Sequence, residues 1–112
     1  MVIGNILFNS GNANLRPESY AAMDRLVELM RENPSLKIEV SGHTDNTGSV
    51  ATNRTLSSNR ALAVRNYLTS QGVAADRLEY NGYGPDRPIA PNNNEDGRAA
   101  NRRVEVEVLS FK

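Results

Sequence analysis

Cysteine and tryptophan are both absent from the 112-residue chain. Without cysteine, disulfides, thiol catalysis and thiolate metal sites are excluded, although this absence does not decide the redox compartment. Long apolar runs are also missing, so no segment is predicted to span a bilayer. No basic segment followed by an apolar stretch opens the chain, and we therefore expect no signal peptide.

An excess of charge of one sign is lacking as well, because 13 Lys and Arg balance 13 Asp and Glu. A general nucleic-acid-binding domain normally carries a basic excess that releases counterions from phosphates, so neutrality argues against that class. Lysine is scarce, since eleven of the thirteen cations are arginine. The planar guanidinium of arginine is suited to two-pronged capture of carboxylates.

The length predicts a single domain over residues 1–112, since a domain usually takes about 100–200 residues. Strands are predicted at residues 2–8, 36–41, 77–80 and 103–108, and helices at 17–32 and from position 50 or 53 to 70. The second and fourth strands alternate apolar and polar residues, which predicts half-buried strands whose valine, leucine and isoleucine side chains face the core. In the second helix, the predicted apolar stripe consists of Leu56, Ala63, Val64, Tyr67 and Leu68.

Helices and strands alternate in the order β-α-β-α-β-loop-β. This order predicts an α/β (α+β) two-layer sandwich, in which a mixed four-stranded sheet packs its helices on one face. Residues 86–101, with Pro88, Pro91, three consecutive asparagines and Gly97, are predicted to form a long loop. Such loops inside a compact domain are usually functional or mobile.

Polar residues follow the second strand in the turn at 42–49, where Thr44 and Asp45 stand between a strand and a helix. In α/β sheets, ligands tend to bind at that edge. Asp45 has two roles open to it at this point. It could cap backbone N–H groups of the turn or the helix, or it could offer a carboxylate to a cationic ligand group.

Arg60 lies on the same helix face as Leu56, Val64 and Tyr67, at the border of the apolar stripe. A guanidinium held beside the core needs an anionic partner. No Asp or Glu occurs between Asn46 and Ala75, so the helix itself cannot supply one. An internal pair with a distant carboxylate, Asp45 included, and a preformed anion site both remain open.

Taken together, these segments resemble the OmpA-like peptidoglycan-binding domain family, which includes OmpA C-terminal, MotB and peptidoglycan-associated lipoprotein domains. The resemblance extends from about residue 6 to residue 108, and its pieces fall in family order and spacing. They are Phe8 and Leu15 around a small-residue turn, Gly42-His43-Thr44-Asp45-Asn46-Thr47-Gly48, Asn53 with Leu56-Ser57 and Arg60-Ala61, Gly82-Tyr83-Gly84 with Pro88, and Asn101-Arg102-Arg103-Val104.

The resemblance implies a domain without catalytic activity or cofactor that binds the meso-diaminopimelate residue of the peptidoglycan stem peptide. It implies that Asp45 takes the ligand ammonium and that Arg60 takes its carboxylate. The other residues that it places at or near the ligand are Asn53, Leu56, Thr44, Thr47, Phe8, Asn9 and Arg103. For Arg103, pairing within the fold beside Asp45 is the preferred role.

The family also implies a cellular context, namely a periplasmic domain of an outer-membrane or envelope protein in a Gram-negative bacterium. Anchoring of a flagellar motor stator or another envelope machine is the alternative. The partners expected are peptidoglycan and no nucleic acid, without direct membrane insertion by this domain, and a homodimer is left open. Three positions depart from the family pattern, namely Asn9, Thr52 and Pro85.

Three other functional classes are disfavoured by the sequence. A hydrolase would need His43 to reach a nucleophile, and no nucleophile motif is present. A metal site would need three or four ligands, and the chain offers one histidine and no clustered carboxylates. An RNA-binding sheet would need stacking aromatic residues on its central strands, where this chain has Val, Arg and Glu.

Overall fold

The computed structural model describes Phe8 and residues 12–111. The predicted first strand therefore lies outside the described residues except for Phe8, which forms an isolated antiparallel bridge with Leu15. After this bridge the elements are a short 3-10 turn Pro17–Ser19, α1 Tyr20–Glu32, β1 Leu36–His43, α2 Val50–Ser70, a second 3-10 turn Ala75–Arg77, β2 Leu78–Gly84, α3 Glu95–Asn101 and β3 Arg103–Phe111.

The sheet is mixed, as predicted, and the order of its strands is β2-β1-β3. The central strand β1 pairs in parallel with β2 and antiparallel with β3. Three strands are present within the described part of the chain, so the predicted fourth strand is not confirmed. The mixed α+β class itself is confirmed.

The core lies between this sheet and helices α1 and α2. It contains the predicted inward residues of the second strand, Leu36, Ile38 and Val40, all of which are buried. Helix α1 contributes Ala22, Met23, Leu26, Val27 and Met30, and helix α2 contributes Ala61, Val64 and Leu68. The predicted stripe of α2 is thus partly wrong, since Leu56 and Ala63 are only half-buried and Ala61 is fully buried.

Residues 86–101 are not a loop throughout, because they contain α3. The side chain of Asn94 caps this helix by accepting a hydrogen bond from the Gly97 backbone N–H at 2.7 Å. Asn101, fully buried, ties the segment down by accepting from the Ile89 N–H at 2.7 Å and donating to the Ala90 carbonyl at 2.9 Å. The prediction of a long loop was wrong because seven helical residues are too few to produce a periodic apolar signal.

Each of the three strands extends further than predicted, since β1 reaches His43, β2 reaches Gly84 and β3 reaches Phe111. In β3, Val104 and Val106 are buried as predicted, but Val108 is 63% exposed. The register of β1 against β3 shifts between Lys37 and Ile38, where Ile38 pairs with Val108. The predicted core side of β3 is therefore wrong at Val108, which lies on a sheet edge in the described structure.

Helix α2 packs directly on β1 and β2 because two glycines face it. A Cβ atom added to Gly42 would clash with the carbonyl oxygen of Ser57, and one added to Gly82 would clash with the backbone N of Ser58. Ser57 is fully buried, and its Oγ accepts a hydrogen bond from the Gly84 N–H at 3.0 Å. These contacts fix the distance between α2 and the sheet, and therefore the position of Arg60 one turn further along.

Replacing Gly42 by alanine should therefore push α2 away from the sheet. We expect Gly42→Ala to lower the free energy of unfolding by about 2–3 kcal/mol or more, since overpacking against backbone cannot relax through side-chain rotation. Gly72→Ala is the control, because Gly72 has a φ of +98° but nothing within 4 Å of the added Cβ. It should cost only about 1 kcal/mol of backbone strain. Urea unfolding of both variants measures the difference, and an equal loss would contradict the packing argument.

Candidate functional site

Asp45 lies in the turn between β1 and α2, and its carboxylate is largely buried but not enclosed. Its side chain is 10% exposed. One oxygen, Oδ1, accepts a hydrogen bond from the Thr47 backbone N–H at 2.8 Å. The other, Oδ2, accepts from Nη1 of Arg102 at 2.6 Å. Of the two roles that the sequence left open, the structure shows the first, because the carboxylate accepts a backbone N–H of its own turn, and the role in ligand binding stays a prediction.

The pKa of Asp45 is lowered from its ordinary value. Burial by itself would raise the pKa, but the hydrogen bonds from the Thr47 N–H and from the Arg102 guanidinium favour the charged form more strongly. Asp45 is consequently a carboxylate at neutral pH, fixed in orientation before any ligand arrives.

Arg60 projects from α2 beside the bridge between Phe8 and Leu15. Its Nε donates a hydrogen bond to the Asn12 carbonyl at 2.9 Å, and its guanidinium carbon lies 5.0 Å from the centre of the Phe8 ring. Burial lowers the pKa of Arg60, and the nearby positive charge of Arg102 lowers it further. Two guanidinium groups thus stand close together, and an anion bound between them would relieve their repulsion.

Asp45 and Arg60 are not paired with each other within the described residues. Arg102 forms the ion pair with Asp45, whereas Arg60 interacts with Asn12 and Phe8. Arg60, Arg102 and Phe8 line a small cleft of about 20 Å³. Asp45 is not among the residues that line this cleft, and it is connected to the cleft through its ion pair with Arg102.

Thr44, Thr47 and Asn53 hold the turn that carries Asp45. The Thr44 hydroxyl donates to the Asp45 carbonyl at 2.7 Å, and the Thr44 backbone N–H donates to the Gly84 carbonyl at 2.9 Å. The amide of Asn53 donates to the Thr47 carbonyl at 2.8 Å. These hydrogen bonds orient the turn. Thr44 is buried, whereas Thr47 is exposed to solvent.

Leu56 lines an open groove of about 530 Å³ along the outer side of α2. Asn12 lies in the wall of this groove and its carbonyl accepts the hydrogen bond from Arg60, so the groove and Arg60 are neighbours at Asn12. The rest of the wall is uncharged and consists of Ala13, Ala51, Thr52, Thr55 and Asn59. Phe8 borders Arg60 as described above, whereas Asn9 lies outside the described residues.

Arg103 pairs within the fold, the role that the sequence favoured over ligand contact, and its partner is Glu105 and not Asp45. It is buried and pairs with Glu105 at 2.6 Å, and it donates to the Arg87 carbonyl at 2.8 Å. The reason is strand alternation, since Arg103 and Glu105 point to the same face of β3. Arg102, one residue earlier at the end of α3, points to the opposite side and reaches Asp45.

The sequence reasoning therefore missed Arg102 as a site residue. The signal was present, because consecutive residues of an extended segment point to opposite sides, and only one arginine of Asn101-Arg102-Arg103 could face Asp45. The helix α3 that precedes Arg102 was not predicted, however. Glu95 on α3 also contacts Arg102, at 3.1 Å between Oε2 and Nη2, and the sequence offered no means of finding this contact.

His43 lies behind the site and is 3% exposed. Its ring stacks on Tyr83 with the centroids 5.6 Å apart, and its Nε2 lies 3.3 Å from the Ser41 hydroxyl and 3.7 Å from a Glu105 carboxylate oxygen. Burial lowers the pKa of His43 to about 4, assisted by the charge of Arg103 and opposed by Glu105. His43 is thus a neutral packed residue at neutral pH.

Neither a metal site nor a membrane-spanning helix is found in the described part of the chain. No group of three or more His, Cys, Asp or Glu side chains converges there. No described helix is both long enough and apolar enough to cross a bilayer.

The chain is thus a mixed α+β sandwich in which Arg102 pairs with Asp45 of the turn after β1 and lines one cleft together with Arg60. The profile of the OmpA family matches residues 7–102, and the chain belongs to that family.

The chain is 41% identical over 104 residues to outer membrane porin F of Pseudomonas fluorescens, covering 93% of this chain and 32% of the porin. It is 41% identical over 105 residues to peptidoglycan-binding protein ArfA of Mycobacterium tuberculosis, covering 94% of this chain and 32% of ArfA. This chain thus spans about a third of the length of these relatives. The C-terminal domain of Helicobacter pylori MotB has a similar structure, with a TM-score of 0.85, 28% identity and coverage of 95% and 83% of the two chains.

The buried neutral His43 predicts a stability that depends on pH. Because its pKa is about 4 when folded and 6.5 when unfolded, the unfolded state binds more protons between these values. Stability is therefore fully present above pH 6.5 and is lost as the pH falls toward 4, on the order of 3 kcal/mol in total and about 2 kcal/mol by pH 5.

Urea unfolding of the wild type and of His43→Asn at pH 7.5 and pH 5.0 measures this loss. The charged and titratable groups that face His43, namely Glu39, Arg87, Arg103 and Glu105, with Tyr83 stacked on it, are present in both proteins. The variant should therefore lose markedly less stability between the two pH values. Parallel losses in the two proteins would show that His43 does not titrate as described.

Proposed function

We propose that this domain binds peptidoglycan through the meso-diaminopimelate residue of the stem peptide, without catalysing a reaction. The observation that carries this proposal is the separation of charge at the site, with Asp45 and Arg60 close to Arg102 but not paired with each other. The family membership and the name of the relative ArfA support the polymer, and the site chemistry supports the residue. None of the relatives described above has the name of an enzyme.

The free end of diaminopimelate carries an ammonium and a carboxylate on one carbon. The Asp45 carboxylate is ionised and oriented before binding, and each of its oxygens has a further lone pair that would accept a hydrogen bond from the ammonium. The guanidinium of Arg60, with that of Arg102 beside it, would receive the carboxylate as a charge-assisted hydrogen-bond acceptor. Preorganised charges lower the cost of binding because little side-chain freedom is lost when the ligand arrives.

The remainder of the ligand would lie along the uncharged groove beside α2. Leu56 would pack against the methylene chain of diaminopimelate, and the hydroxyl and amide side chains of the groove would face the polar backbone of the stem peptide. The hydrogen bond from Arg60 to Asn12, a residue in the wall of the groove, supports this placement. Asn53, Thr44 and Thr47 would act mainly by holding Asp45.

We further propose that the domain attaches an envelope protein to the cell wall from the periplasmic side. The relative named as an outer membrane porin supports an outer-membrane context. The structural similarity to MotB supports a second candidate, attachment of a motor stator or a comparable envelope machine. Both candidates use the same wall-binding site and differ in the rest of the protein.

Removing either charge should abolish retention on the wall. In a sedimentation assay with purified diaminopimelate-type sacculi, the wild type should pellet, and Asp45→Ala and Arg60→Ala should bind at least about tenfold more weakly, since each leaves one ligand charge without a partner. Asp76→Ala and Arg16→Ala are matched controls, because both residues are exposed and neither has a described contact with Asp45, Arg60 or Arg102. Melting curves should confirm that all four variants are folded. Undiminished sedimentation of both site variants would contradict the assignment.

The zwitterion argument also predicts selectivity between wall types. A lysine at the same stem position keeps an ammonium but lacks the carboxylate, so the guanidinium of Arg60 would be desolvated without compensation. We expect a soluble lysine-type muropeptide to bind at least about tenfold more weakly than its diaminopimelate counterpart in calorimetric titrations. Equal affinities would contradict the assignment of Arg60 as the residue that binds the ligand carboxylate, but would not contradict peptidoglycan binding by this domain.

A further inference from the structure

We propose that Glu95 is a positioning residue for the ammonium side of this site, acting on Asp45 through Arg102. The inference rests on the proposed function, because it assumes that Asp45 binds an ammonium group. It gives a role to α3, the helix within residues 86–101 that none of the site assignments above uses.

The geometry is a chain of three charges. The Nη1 of Arg102 lies 2.6 Å from Oδ2 of Asp45, and its Nη2 lies 3.1 Å from Oε2 of Glu95. A second, longer contact of 3.5 Å joins Nη1 to the other Glu95 oxygen. One guanidinium is therefore shared between two carboxylates, and its planar fork fixes both of them at once.

The sharing of Arg102 between two carboxylates affects the charge that a ligand meets, because an Asp45–Arg102 pair without Glu95 would be neutral. An incoming ammonium would then find a carboxylate whose charge is already balanced by the guanidinium. With Glu95 on the other side of Arg102, the three groups together carry one negative charge, and Asp45 is the largely buried member, joined to the cleft through Arg102, which lines it. The side chain of Glu95 is 63% exposed and that of Asp45 only 10% exposed, so the ligand meets Asp45 while Glu95 balances Arg102 from solvent.

Arg98 is the remaining charge in contact with this chain. Its Nε lies 3.4 Å from Oε1 of Glu95, on the same turn of α3. Arg98 also donates to the Asn92 carbonyl at 3.0 Å, which directs it toward the preceding loop. It is one ion pair further from Asp45 than Arg102 is, so water and salt screen its effect on the ligand more strongly.

Glu95 also limits how Arg102 can move. Without Glu95, both branches of the guanidinium are able to turn toward Asp45 and form a two-pronged pair that uses a second acceptor position of the carboxylate. Retention of Nη2 by Glu95 leaves that position to the ammonium. The pKa of Glu95 is lowered by its hydrogen bond with Arg102, so the residue is ionised at neutral pH and performs this role continuously.

The test compares two variants that remove the same charge from the same helical turn. Glu95→Gln removes the carboxylate that contacts Arg102, whereas Asp96→Asn removes its exposed neighbour. Binding of a diaminopimelate-containing tripeptide is measured by calorimetry at 50 mM and 500 mM salt. We expect Glu95→Gln to bind about three- to fivefold more weakly at low salt, with a smaller difference at high salt, as for an exposed ion pair. Asp96→Asn should bind like the wild type.

A selectivity measurement separates positioning from a merely structural role. An analogue of the tripeptide that lacks the ammonium but keeps the carboxylate should lose little affinity for Glu95→Gln, so the preference for the zwitterion should fall in this variant. Glu95→Asp should restore part of that preference. Equal affinity of Glu95→Gln and the wild type, or equal losses in Glu95→Gln and Asp96→Asn, would overturn the inference while leaving the proposed function intact. Failure of the wild type to bind the tripeptide would overturn the proposed function and this inference with it.

Discussion

The close approach of helix α2 to the sheet is the constraint on which the site depends. Gly42 and Gly82 have no side chains, so the backbone around Ser57 packs directly on β1 and β2. This contact places Arg60 next to the turn that follows β1, although fifteen residues separate Arg60 from Asp45 in the sequence. A wider spacing between the helix and the sheet would leave two unrelated surface charges in place of one site.

With α2 held at this distance from the sheet, Asp45 and Arg60 both lie near Arg102 but do not form an ion pair with each other. Arg102 satisfies Asp45, and Asn12 and Phe8 hold Arg60. Buried opposite charges that pair with each other gain little net stability, because desolvation offsets their attraction. Here each charge has a different local partner, and Arg60 and Arg102 both line the cleft. The arrangement suits a ligand that supplies both charges from one carbon atom.

Much of this could be predicted from the sequence, and the exceptions have physical reasons. Alternation of polar and apolar residues predicted β1 and most of β3, and the motif around Asp45 predicted the position of the turn. Arg102 and α3 were missed because a seven-residue helix that contains Gly97 gives no periodic signal. Val108 was assigned to the core because alternation shows which side chains share a face of the strand, but not how far along the strand that face is buried. The assignment of Asp45 and Arg60 as ligand-binding residues stays a prediction.

The most direct test is a nuclear magnetic resonance titration with the diaminopimelate-containing tripeptide, observing the carboxyl carbon of Asp45 and the side-chain Nε of Arg60. If one zwitterionic group bridges the two side chains, both signals should shift with the same saturation curve, and the signals of Asp76 and Arg16 should stay constant. Saturable binding that leaves either the Asp45 or the Arg60 signal unchanged would contradict the account.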